Sequence, residues 1–128
     1  MNEFDRLLEI AARKSKYDSI NSWYDGPETY LCEIKKEIQE VIEEIPRNRR
    51  CYLEEELGDV LWDYLNILFA LEKESNIDIS SVFVRACKKY EERISGIESG
   101  KLWAEIKAMQ KASLAAEYEL EAKENTSS

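Results

Sequence analysis

Four acidic residues carry the chemistry that this chain can do: Glu37-x-x-Glu40 and, after a gap of fifteen residues, Glu56-x-x-Asp59. Residues three apart on a helix share a face, so each pair points two carboxylates the same way, and two antiparallel helices would aim all four at one point. Four oxygen donors converging without a balancing Lys or Arg repel one another unless a divalent cation sits among them. The spacing therefore predicts a metal site. All-oxygen ligation favours a hard cation, Mg²⁺ first and Mn²⁺ second. Magnesium keeps several waters and commonly binds phosphates beside carboxylates, which implies a polyphosphate substrate. Histidine is absent, and that removes His-based triads, the Glu-x-x-His motif of di-iron bundles and most zinc and copper sites.

The elements that must position these acids read as helices. Four glycines and two prolines in 128 residues, with few strand-like alternations, predict an all-α bundle of about five helices. The first runs from about Asn2 to Tyr17. Asp25-Gly26-Pro27 reads as a cap with proline in the first turn of the second helix, which Pro46 ends after about Ile45. The third spans about Cys51 to Glu74 and the fourth about Ser81 to Ile94. Gly96 and Gly100 bracket a loop, and the fifth helix runs from near Lys101 to about Ala122. Residues 1–122 are expected to form one domain, and residues 123–128 a frayed tail.

On the second helix Glu33, Glu37, Glu40 and Glu44 form a stripe beside an apolar one of Leu31, Ile34, Ile38, Val41 and Ile45. Taken alone, that stripe reads equally well as a solvated acidic face. The third helix separates the two readings. It is apolar on two sides, Leu53, Leu57, Val60, Leu61, Tyr64, Leu68 and Leu71 on one and Trp62, Leu65 and Phe69 on the other, with Gly58 permitting close approach. The narrow polar sector between them holds Glu56, Asp59, Asp63 and Asn66. Those acids are expected to face an internal cleft, where carboxylates need a partner, and a metal supplies one.

Composition narrows the function further. With 27 acidic against 18 basic residues the net charge is −9, which argues against nucleic acid polymers and anionic membrane as partners. No run approaches a membrane span, and Met1 to Leu8 carries two acids where a signal peptide carries basic charge, so a soluble, cytoplasmic protein is expected. Cys32, Cys51 and Cys87 are odd in number and widely spaced, which suits reduced, buried and inert thiols. In the fourth helix Lys89 and Arg93, one turn apart, present two cations that suit phosphate oxygens or, equally, surface pairs with Glu92 and other acids.

Glu37-x-x-Glu40 followed by Glu55-Glu56-Leu57-Gly58-Asp59-Val60-Leu61-Trp62 resembles the signature of the MazG-like, all-α nucleotide pyrophosphohydrolases, a group that includes dimeric dUTPases and phosphoribosyl-ATP pyrophosphohydrolase. Ser22-Trp23-Tyr24-Asp25, Ile77-Asp78-Ile79 with Lys89-x-x-x-Arg93, and Trp103-Ala104-Glu105-Ile106-Lys107 extend the similarity over roughly residues 20–107. The resemblance implies Glu37, Glu40, Glu56 and Asp59 as Mg²⁺ ligands and catalytic residues, and Lys89 and Arg93 as phosphate contacts. Trp23 and Trp103 are candidates to stack on the base, or ordinary core or interface tryptophans. Two departures stand out: Lys36 where many members carry an acid, and Ile94-Ser95-Gly96 where a His or Tyr and a Pro often follow. The activity implied is Mg²⁺-dependent cleavage of a nucleoside triphosphate to monophosphate and pyrophosphate, clearing non-standard or excess nucleotides. Glu55 or Asp63 would serve as the base. A relative narrowed to dUTP, dCTP or phosphoribosyl-ATP is the first rival, and a non-catalytic helical interaction dimer the second. A homodimer or dimer of dimers is expected, with Trp62, Leu65 and Phe69 at the contact.

Overall fold

A computed structural model describes residues 1–126, which form five α-helices and no strand. These are α1 (Glu3–Asp18), α2 (Pro27–Glu44), α3 (Arg50–Glu74), α4 (Ile79–Glu98) and α5 (Trp103–Thr126). The chain divides into two compact units, Met1–Ile79 and Ser80 onward. No helix among the described residues is long and apolar enough to cross a membrane.

The first unit is built on α3. Its buried residues Leu65, Ile67, Leu68 and Ala70, with Ala11 of α1 and Tyr30 of α2, make up most of the core. Asn2 starts α1, its Oδ1 accepting from the Asp5 N–H at 2.9 Å, as side-chain oxygens at a helix start commonly do. Pro27 occupies the first position of α2 as expected, but the cap is Gly26, at φ 71°, and no side chain caps the helix. Asp25 instead donates its N–H to Thr29 Oγ1 at 2.7 Å. Pro46 converts the end of α2 into a 3₁₀ turn, Ile45–Arg47, and Asn48 follows in the left-handed region at φ 54°. Arg49 then reaches back to the buried Glu44, donating from Nε and Nη2 to its two carboxylate oxygens at 2.8 Å each. That fork closes the α2–α3 hairpin.

A second polar knot ties α1 to α2. Tyr30 donates its hydroxyl to Asp18 Oδ2 at 2.6 Å, and Lys14 donates to Asp18 Oδ1 and, at 3.1 Å, to the Tyr30 oxygen. Burial first, and then the hydrogen bond to Asp18, push the Tyr30 phenol far above its ordinary range. Lys73 of α3 donates to the Ser15 carbonyl of α1 at 2.6 Å. Buried polar groups thus find partners where the three helices meet, as interior polar groups generally must.

In the second unit α4 runs past its expected end at Ile94, through Gly96, to Glu98. Its C-terminus closes at Gly100, φ 91°, with Lys101 N–H donating to Gly96 O at 2.8 Å and Gly100 N–H to Ile97 O at 3.0 Å. These are the two reverse bonds of a Schellman cap, whose left-handed position favours glycine. Gly96 is no loop residue; α5 packs against it, and a Cβ there would lie 2.3 Å from Ile106 Cδ1. Arg85 forks onto Glu117, and Gln110 donates to the Lys89 carbonyl at 2.9 Å, which sets α4 and α5 antiparallel. The fifth helix continues to Thr126, past the expected end at Ala122; of the expected tail, residues 127–128 lie outside the described residues.

Three further expectations are corrected. All three cysteines are exposed and free, because each lies on a helix flank turned from the core. Leu65 is fully buried inside the chain and Trp62 and Phe69 are half-buried, so Leu65 is core and not contact surface, while Leu57 and Tyr64 of the main stripe are exposed. Gly58 mediates no close approach: a Cβ there would meet nothing within 4 Å.

Candidate metal centre

The α2–α3 hairpin positions the acids. Each helix presents its carboxylates to the other at one-turn intervals, and their mutual influence gives the register: Glu33 acts on Asp63, Asp59 on Glu37, and Glu40 bonds to Glu56. Ascending numbers on α2 meet descending numbers on α3, so the helices are antiparallel. The result is a ladder of three carboxylate rungs along one seam.

At its centre Glu37, Glu56 and Asp59 each bring a carboxylate oxygen to within 4.8 Å of the others. Glu37 and Glu56 are half-buried. Glu40, which is exposed, lies beside this trio, its carboxyl group close to those of Glu37 and Glu56. Burial, then the bond to Glu40 and the charges of Glu40, Asp59 and Asp63, push Glu37 up to about 7. Glu56 is raised by its bond to Glu40 and then by burial. Burial, Glu33 and Asp59 push Asp63 up to about 6.

The donor set fits a divalent cation. Glu37 Oε2 and Glu56 Oε2 are buried without a hydrogen-bond partner, and the charged groups that act most strongly on those two side chains are acidic. Crowding of like charges around unpartnered oxygens is the condition that a hard ion relieves. Glu44, the fourth acid of the α2 stripe, is not part of the cluster. It is taken by Arg49 and, at 3.5 Å, by Arg47, and the three arginines that follow Pro46 were the available sign of it.

The other expected site residues fall into different surroundings. Trp23, half exposed, packs edge-on against Tyr30 at 5.4 Å with Lys14 over its ring at 5.3 Å. Lys89, Arg93 and Trp103 belong to the second unit. There the Arg93 guanidinium lies over Tyr90 at 5.3 Å and Trp103 at 5.0 Å and donates from Nε to Gln110 at 2.9 Å. No salt bridge to Lys89 or Arg93 occurs among the described residues. The Asp18–Tyr30–Lys14 knot was not anticipated, since nothing in the spacing of those residues announces it. Two surface hollows of about 300 and 330 Å³ involve none of the clustered carboxylates.

An antiparallel helical hairpin lined with carboxylates, in an all-α chain without histidine, defines a class of helical proteins equipped to hold an oxygen-seeking cation. Residues 25–96 match the model of the MazG nucleotide pyrophosphohydrolase domain, and the chain belongs to that family. The matched stretch contains all four acids of the two motifs together with Lys89 and Arg93. No curated protein and no solved structure matches the chain.

Proposed function

We propose that this protein is a Mg²⁺-dependent nucleoside triphosphate pyrophosphohydrolase, releasing nucleoside monophosphate and pyrophosphate. The observation that carries the reading is the convergence of Glu37, Glu56 and Asp59 within 4.8 Å, inside a matched pyrophosphohydrolase domain. In the reaction a water oxygen forms a bond to phosphorus, the anhydride bond between the α and β phosphates breaks, and pyrophosphate leaves. The water's proton passes to a carboxylate of the seam. Glu37, Glu40, Glu56 and Asp59 would hold the ion. When bound, a divalent cation supplies charge neutralisation on the substrate phosphates. Fixed carboxylates need no reorganisation as charge develops, which is where such sites gain rate.

Lys89 and Arg93 are proposed as phosphate contacts, and the pinning of Arg93 between two rings and Gln110 favours a guanidinium of fixed direction. The test is pyrophosphate release across a panel of nucleoside triphosphates, with Mg²⁺ and with chelator. Release that needs the metal and disappears in Glu56→Gln is expected. A panel with no turnover by a folded, metal-loaded chain would sink the catalytic reading and favour the interaction dimer.

A further inference from the structure

The α2–α3 seam continues one turn beyond the trio assigned to substrate chemistry. There Glu33 of α2 acts on Asp63 of α3, and Asn66 follows one turn later on the same helix face. Asp63 is 6% exposed and Asn66 1%. Asn66 Nδ2 donates to the Trp62 carbonyl at 2.8 Å. That bond fixes the amide and leaves Oδ1 as the free end. Neither Asn66 Oδ1 nor Asp63 Oδ2 has a hydrogen-bond donor, and both atoms are closed to solvent.

Buried acceptors are nearly always satisfied, so two neighbouring exceptions call for a positive or donating partner. The ionic groups acting on Asp63 are Glu33 and Asp59, both carboxylates. Tyr30, also near it, has committed its proton to Asp18. Lys36 touches Glu33 at 3.4 Å from the solvent side, its own side chain 70% exposed. A nucleobase edge would need an opening that side chains this deeply buried do not offer.

Resting on the reading of this seam as a metal centre, we propose that Glu33, Asp63 and Asn66 form a second cation site, distinct from Glu37, Glu56 and Asp59. Two carboxylates and one amide carbonyl make an all-oxygen set for a hard divalent ion, and an Asn carbonyl is a ligand such ions accept. An ion there ties α2 to α3 from inside. It also screens Asp63 from Glu37 and Asp59, leaving those two to the substrate ion.

The experiment is Mn²⁺ binding to the full chain without nucleotide, by calorimetry and by the spectrum of free Mn²⁺. Two ions per chain are expected. Asp63→Asn should lose one ion and keep the other, and Glu56→Gln should lose the other and keep the first. Circular dichroism checks the fold, and Asn66→Ala, which removes only a neutral ligand, should weaken the Asp63 site by about tenfold or more, as loss of a supporting ligand typically does. A wild-type chain that binds one ion, abolished by Glu56→Gln and untouched by Asp63→Asn and Asn66→Ala, overturns this inference and spares the proposed function. A chain that binds none overturns both.

Discussion

At the scale of single residues, the seam joins chemistry to stability through charge. Glu56→Gln or Asp59→Asn keeps side-chain volume and removes one anionic ligand, so turnover should fall by at least about 100-fold, a few kcal/mol of transition-state stabilisation. Glu40→Gln should fall similarly. Glu43, exposed and in contact with Gln39 at 3.3 Å, lies off the seam, and Glu43→Gln should leave steady-state rates nearly unchanged. The raised carboxyls set a pH dependence. Glu37, pushed up to about 7, and Asp63, pushed up to about 6, hold protons in the folded chain that the unfolded chain releases near the ordinary carboxylate range. Their stabilising effect is complete at acid pH and is lost as pH rises through those values. The metal-free protein should therefore melt several degrees higher near pH 5 than near pH 8. Added Mg²⁺ or Mn²⁺ should remove most of that difference, because the ion binds the deprotonated seam and only in the folded state. Differential scanning calorimetry with and without chelator measures both. A flat metal-free profile would mean that these carboxyls keep their solvent values.

At the scale of elements, the acids were legible because three-residue spacing on a helix needs only the helix to be right, and Pro27 and Pro46 marked the second helix at both ends. The rest was less visible for identifiable reasons. Gly96 reads as a breaker in sequence, yet α4 runs through it, since the position serves approach by Ile106 and not a turn. Glu44 reads as one more acid in a stripe, yet a residue five positions on claims it. Burial of the cysteines was expected from the habits of the residue type, and helix phase put all three outside. The Gly96 contact yields a prediction. Gly→Ala inside a helix ordinarily gains up to about 1 kcal/mol, but a Cβ 2.3 Å from Ile106 Cδ1 is overpacking, which costs roughly 1–3 kcal/mol. Gly96→Ala should thus destabilise, and Ile106→Val, by removing the offending methyl, should restore part of the loss in the double variant. Chemical denaturation of the four chains decides it; additive effects would show that the two positions do not meet.

At the scale of the whole molecule, exposed Ile38 and Ile42 on α2, Ile45 in the turn that follows it, and Leu57 and Tyr64 on α3 leave apolar surface on the hairpin that carries the seam. Contiguous apolar surface of this kind marks an association face. A homodimer is expected in sedimentation at micromolar concentration, and Ile42→Lys should shift it towards monomer. A sedimenting monomer in the unsubstituted chain would show that the face is tolerated in water. The same accounting of burial bears on α5 alone. Among its described residues Ile106 is the buried one, while Met109, Leu114, Tyr118 and Leu120 are more than half exposed. A helix whose burial is confined to one end opens locally without the rest of the fold having to open. Amide protons beyond Lys111 should therefore exchange with deuterium soonest among the helices, and those of Leu65 to Ala70 last. The chain would then carry its own internal clock, with α5 reporting local opening and the middle of α3 reporting global unfolding.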